Sequence, residues 1–152
     1  MKVKCIYNTG DFLRDYENRP IEKEQLGRFG ETAYTQYGLI INKEYTVMGM
    51  LLGQGSLNFL IDEAGYISAY PYPLFKVIDN KLPSSWYFSS LKNTDHQYPY
   101  QEAIWGYYEL VFEQEHYEKL VNMEETATRK YFIRKFEMEK ELNEEADLMQ
   151  EE

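Results

Sequence analysis

KEYTVMGMLLGQGSLNFLIDEAGYISAYPYPLF, residues 43–75, is the stretch of sequence that decides the fold. Its β-branched and aromatic residues come in short runs, and turn-forming residues separate the runs. The runs predict three strands, at residues 44–52, 57–62 and 66–70. Glycines in Gly-Gln-Gly and Glu-Ala-Gly allow positive φ at the two corners. Connections this short make neighbouring strands antiparallel, so the stretch predicts an antiparallel meander.

Weaker patterns on both sides extend this meander. Residues 1–7 alternate between apolar and polar side chains, which is typical of a half-buried strand, and residues 76–78 add a last short strand. Residues 11–38 are polar and punctuated by glycine and proline. They predict a long insertion, with a short helix at residues 21–29.

The second half of the chain changes from strand to helix. The aromatic run at residues 82–88 contains a proline, so we expect it along the edge or the open end of a barrel. Residues 104–112 predict a strand. Residues 113–122 and 123–143 carry apolar side chains at helical spacing and predict two helices. An acidic excess with few apolar residues predicts a frayed tail at residues 144–152.

Ten residues of the first half form a recognisable pattern. They are Cys5, Lys43, Tyr45, Val47, Ile61, Asp62, Gly65, Tyr72, Pro73 and Phe75. The pattern resembles the small SH3-like barrel proteins of Bacillus-type bacteria and their phages, although Asn42 stands where that pattern usually has Gly. The similarity leaves out the insertion and implies no agreed catalytic residues. The aromatic segment and helical tail are similar, more loosely, to small immunity proteins found beside bacterial toxins.

These observations together predict an α+β fold. A small antiparallel SH3-like β-barrel covers residues 1–88, apart from the insertion at 11–38, and a strand and helices in residues 104–143 pack against it. A chain of 152 residues has the size of one domain, which we expect to span residues 1–143.

Charge and cysteine content limit the function. The chain has 26 acidic and 16 basic residues, and residues 137–152 alone hold eight acidic residues and one lysine. Such a protein is repelled by phosphate backbones and acidic membrane surfaces and attracts basic proteins, so we expect no nucleic-acid or membrane partner. The single cysteine, Cys5, cannot pair within the chain, which favours a reducing, cytoplasmic location. No export signal or membrane-spanning apolar run is present in the sequence.

Aromatic residues provide the candidate binding surface. The candidates are Tyr66, Tyr70, Tyr72, Trp86 and Tyr87. If these rings face solvent, they form a patch suited to an extended or proline-rich peptide, because exposed aromatics concentrate binding energy. Trp86, like Phe75, fits a buried core better than a surface.

Catalytic candidates are few. They are Asp62, Asp95, His96 and Tyr98. Asp95 beside His96 could form an acid–base pair, but a polar loop is the favoured explanation of both residues. A turn before Gly65 explains Asp62. We expect His116 at a solvated helix start, and we expect no metal or other cofactor because no ligand spacing or nucleotide motif occurs.

The function that the sequence favours is a non-enzymatic cytoplasmic binding protein. Its acidic, tyrosine-rich surface would occlude a basic partner, as an immunity protein neutralises a toxin. The alternatives are a small hydrolase-type enzyme with a loop-borne Asp/His site, a phage or prophage accessory protein, and a structural or oligomerisation module.

Overall fold

The computed structural model describes residues 1–90 and 101–150, and within these ranges the chain has an α+β fold with two antiparallel sheets followed by helices. The small sheet contains β1 (Lys2–Cys5), β2 (Glu44–Thr46) and β6 (Phe75–Asp79), in the order β2-β1-β6. The large sheet contains β3 (Gly49–Gly53), β4 (Ser56–Glu63), β5 (Tyr66–Pro71), β7 (Tyr87–Ser90) and β8 (Gln101–Gly106), in the order β5-β4-β3-β8-β7. The helices are α1 (Tyr108–Phe112), α2 (His116–Val121) and α3 (Glu125–Gln150).

The large sheet is the middle layer of the molecule. Alternate residues of a strand point to opposite faces, so Phe59 and Ile61 pack against the small sheet while Leu60 between them packs against the helices. Burying a side chain such as Leu60 stabilises the fold by about 1.5–3 kcal/mol. The two cores therefore share β4 as their common wall.

The predicted meander is confirmed for its second and third strands. The β3–β4 and β4–β5 loops each contain two residues at positive φ, Gln54-Gly55 and Ala64-Gly65. Loops of this type match the twist of the flanking strands, which fixes the antiparallel register.

The first predicted strand of the meander is wrong in one respect, because residues 44–52 form two strands in different sheets. The break lies at Val47 and Met48. The amide of Val47 donates to the carbonyl of Met1 beside the small sheet (3.1 Å), and that of Met48 donates to the carbonyl of Leu60 in the large sheet (2.8 Å). The described strands of the two sheets form no common ladder, so closure into a barrel is not confirmed.

The insertion is anchored by polar contacts rather than by a helix at residues 21–29. The structure has a 3-10 helix at Phe12–Tyr16 instead. Arg28 donates to the carbonyls of Tyr16 (3.1 Å) and Gly55 (2.6 Å), which ties the insertion to the β3–β4 loop. The predicted helix had a weak apolar face, and Leu26 on that face is 69% exposed.

The predicted strand at residues 104–112 is also wrong beyond Gly106. At Gly106 the backbone φ is +155°, and a Cβ would lie 2.6 Å from Cδ2 of Leu110 and 3.0 Å from the carbonyl oxygen of Met48. The chain leaves the sheet here and forms α1, which places Tyr107 and Leu110 in the helical core. The last helix continues to Gln150, past the expected end at residue 143.

Candidate functional site

The long helix α3 packs across both sheets through one face. Its buried residues are Ala127, Tyr131, Met138 and Leu142. Two hydrogen bonds fix it to strands of different sheets: the hydroxyl of Thr46 in β2 donates to Glu139 (2.8 Å), and the hydroxyl of Tyr131 donates to Asp62 in β4 (2.9 Å). Phe132 and Phe136 also lie at helical spacing, but they are 38% and 71% exposed. The helix therefore has an outer face that the fold does not use.

Three of the four basic residues in the first half of α3 are paired with carboxylates outside the helix, and the fourth, Arg129, is paired with Glu125 of α3 itself. Arg134 donates to both carboxylate oxygens of the buried Glu109, at 2.6 and 2.9 Å, and the ammonium of Lys130 lies 3.6 Å from the same carboxylate. The Arg134 guanidinium holds the pKa of Glu109 below its usual range. Lys135 is paired with Asp62 at 2.8 Å. These pairs leave little positive charge on the outer face.

The second half of α3 is acidic. Glu139, Glu141 and Glu145 contact the rest of the fold, and the other carboxylates of this half are exposed. Residues 136–150 contain six carboxylates and one lysine. A groove of about 300 Å³ runs along this part of the helix. Its lining residues are Phe136, Glu139, Lys140, Asn143, Glu144 and Asp147. We call this the α3 groove. At 71% exposure, Phe136 is the most exposed large hydrophobic residue in the described part of the chain.

The charge distribution of α3 opposes the stability of the helix. Carboxylates stabilise a helix near its N-terminus and destabilise it near its C-terminus, because the helix dipole is positive at the first turn and negative at the last. In α3 the acidic residues are concentrated toward the C-terminal end and the basic residues toward the N-terminal end. The helix dipole therefore does not explain the carboxylates of the α3 groove. Glu139 is held by Thr46 and Lys140 lies 3.7 Å from Glu144, which leaves Asp147 without such a structural role among the contacts described.

The five predicted aromatic binding residues do not form one surface. Tyr72 packs edge-on to Tyr16 and Phe29 of the insertion, with ring centroids 6.1 and 6.4 Å apart. Tyr70 is half-buried and packs against Tyr37 of the insertion (6.1 Å), and Tyr66 is 63% exposed at the β4–β5 corner.

The other two predicted aromatics lie elsewhere again. Trp86 packs against both cores, and its ring N–H donates to the sulfur of Met138 at 3.3 Å. Tyr87 is in β7, where its ring packs against those of Tyr108 and Phe112. The structure thus divides the predicted cluster among the insertion, the β4–β5 corner, the core and one sheet edge.

Of the catalytic candidates, Asp62 is placed by the structure at the end of β4. Its carboxylate accepts hydrogen bonds from Tyr131 and from the ammonium of Lys135, at 2.9 and 2.8 Å. Since Tyr131 and Lys135 both belong to α3, Asp62 attaches this helix to β4 and has a structural role. Asp95, His96 and Tyr98 lie outside the described residues.

The expectation for His116 is wrong, because the side chain is buried rather than solvated. It is 4% exposed, and its Nε2 is 2.7 Å from the hydroxyl of Tyr107, with which it is hydrogen-bonded. Burial lowers the pKa of His116 to about 4 and raises that of Tyr107 above its ordinary value. A sequence signal for this position exists: His116 lies four residues before the buried Leu120, on the same side of α2.

Comparisons with protein-family models, with curated proteins and with solved structures found no match to this chain. No helix in residues 1–90 and 101–150 combines the length and apolarity needed to cross a bilayer. In the same ranges, no group of three His, Cys, Asp or Glu side chains is arranged to hold a metal ion.

Proposed function

We propose that this protein is a non-enzymatic, cytoplasmic binding protein that holds a basic partner protein in the α3 groove and occludes the surface that it covers. The observation that carries this proposal is the exposed ring of Phe136 in a groove bordered by carboxylates. The complementary partner surface is an apolar side chain flanked by lysine or arginine. The resemblance to immunity proteins supports a toxin as that partner.

The groove has the composition of a binding hot spot. A buried aromatic anchor surrounded by a polar rim is the usual arrangement, in which the rim excludes water from the anchor. Covering the exposed part of the Phe136 ring removes on the order of 100 Å² of apolar surface from water, or about 2.5 kcal/mol. The carboxylates steer a basic protein toward the groove and select against acidic ones.

The charge conflict in α3 also supports this proposal. Repulsion between the groove carboxylates and the C-terminal end of the helix dipole is a cost in the free protein. Lys140, 3.7 Å from Glu144, offsets part of that repulsion. A cation bound over Glu144 and Asp147 relieves more of it, so part of the cost is recovered on binding. Sites that bind partners commonly sacrifice stability in this way.

The test compares two variants that remove the same charge from different places. The groove double variant, Glu144→Gln with Asp147→Asn, removes two exposed carboxylates from α3. The insertion double variant, Asp11→Asn with Asp15→Asn, removes two exposed carboxylates from the insertion. Tagged proteins are used to retain partners from a lysate of the source cells at low and at moderate salt.

We expect one basic protein to be retained by the wild type and by the insertion double variant but lost from the groove double variant. Retention should also weaken as salt is added, because screening reduces the attraction of exposed charges. The proposal is contradicted if no protein is retained at either salt concentration. It is also contradicted if both double variants retain the same proteins as the wild type.

A further inference from the structure

The edge strand β7 differs from the other edges of the described sheets. Natural edge strands carry charges, prolines or bulges that prevent pairing with another chain. The other edges have such features: β2 contains Glu44, β5 ends at Pro71, and β6 contains Lys76 and Asp79. Strand β7, Tyr-Phe-Ser-Ser, has neither a charge nor a proline.

Exposed aromatic rings lie on both faces of this edge. Tyr87 and Phe88 are consecutive, so they point to opposite faces of the sheet, and they are 47% and 54% exposed. Tyr108 and Phe112 of α1 are 48% and 51% exposed, and their ring centroids lie 5.7 and 5.4 Å from that of Tyr87. We call these four residues with β7 the edge patch.

We propose that the edge patch is an interface with a second copy of this chain. The two β7 strands pair in antiparallel fashion about a two-fold axis perpendicular to the sheet, which joins the two large sheets into one. With the axis at Ser89, Phe88 stands opposite Ser90 of the second copy, so a large side chain meets a small one on each side of the axis. An interface of this symmetry must be self-complementary, and this register satisfies that requirement.

Charge limits where a second copy can bind. The protein has a formal net charge of −10, so two copies repel each other wherever their acidic surfaces meet. The rings and serines of the edge patch are uncharged, which allows two copies to approach there without facing like charges. Four half-exposed rings offer on the order of 400 Å² from each copy, which places the interface at the small end of specific ones and predicts a weak, concentration-dependent dimer.

Sedimentation equilibrium of the whole chain over about two decades of concentration tests this proposal. We expect the mass to rise from monomer toward dimer for the wild type. Phe88→Lys should abolish the rise, since a charge on the edge prevents strand pairing, whereas Leu26→Lys, at a 69% exposed position on the insertion, should retain it. Added salt should strengthen the dimer by screening the repulsion between copies, while it weakens the binding of a basic partner.

Hydrogen exchange of the wild type provides a measurement that does not depend on the folding of a variant. The amides of residues 87–90 that point away from β8, which are every second one along the strand, should gain protection as concentration rises, because they become hydrogen-bonded across the interface. A wild type that stays monomeric at every concentration would overturn the proposal. So would a dimer that survives Phe88→Lys, or a dimer that forms without added protection at residues 87–90.

Discussion

Lowering the pH from about 7 to about 4.5 tests the buried position of His116. The side chain is neutral in the folded protein because burial disfavours the imidazolium, and its pKa falls from 6.5 to about 4. The nearby carboxylate of Glu109 raises this pKa, and the ammonium groups of Lys119 and Lys130 lower it further. Between these two pKa values, His116 is therefore neutral in the folded protein and protonated in the unfolded chain.

The size of the effect follows from the two pKa values. Between them the unfolded chain binds more protons, so the free energy of unfolding decreases as the pH falls from 6.5 toward 4. The loss from about pH 7 to about pH 4.5 amounts to about 2.5 kcal/mol. The pKa values of Glu63 and Glu109 are lowered from 4.5 in the folded protein, so these carboxylates stabilise the fold above pH 4.5. That stabilisation is lost mainly below pH 4.5, so it adds little to this loss.

Urea denaturation at a series of pH values measures the loss directly. Replacing His116 by Gln keeps a side chain that can hydrogen-bond to Tyr107 but cannot titrate, so the dependence on pH should largely disappear. The matched control is His96→Gln, which removes the other histidine of the chain and should leave the dependence intact. Identical pH profiles for the wild type and His116→Gln would refute the buried, neutral state of His116.

Three further predictions concern stability. Gly106→Ala should lower the free energy of unfolding, measured by urea denaturation, by roughly 2–3 kcal/mol, because a Cβ has no room at this position. Gly38→Ala should be nearly neutral, because a Cβ there meets nothing within 4 Å. Equal effects of the two substitutions would contradict the packing described. Arg134→Met should cost roughly 2 kcal/mol by leaving the buried Glu109 with weaker partners, and a change below about 0.5 kcal/mol would show that the pair is not formed. The groove double variant should raise the free energy of unfolding by about 0.5 kcal/mol, and a clear decrease would contradict the conflict with the helix dipole.

Local signals in the sequence were sufficient for the strands with clear turns. Strand β4 begins and ends at two-residue loops that contain glycine, and β5 begins at the second of these loops, so these limits follow from turn chemistry. The change of sheet at Val47 and Met48 was not predictable in the same way. An extended chain that passes from one sheet to another keeps the same alternation of side chains along the sequence. The end of β8 at Gly106 depends on close packing against α1, which is a tertiary contact.

The candidate site was predictable in charge but not in position. The acidic excess at the C-terminal end is evident from the sequence, and the structure places it on α3. Phe132 and Phe136 lie four residues apart, which is the spacing of a core-facing pair, and only the packing of Tyr131 and Met138 shows that they point away from the core. The buried state of His116 likewise depends on Tyr107, which the predicted strand at residues 104–112 had placed in a sheet.

The most direct test of the central claim is photocrosslinking from defined positions in the source cells. A photoreactive phenylalanine analogue is placed at residue 136, in the α3 groove, or at residue 88, in the edge patch; both native side chains are exposed phenylalanines. We predict that the basic partner is crosslinked from residue 136 and not from residue 88. Crosslinking of that partner from residue 88 alone, or from neither position, would contradict the assignment of the α3 groove as its binding site.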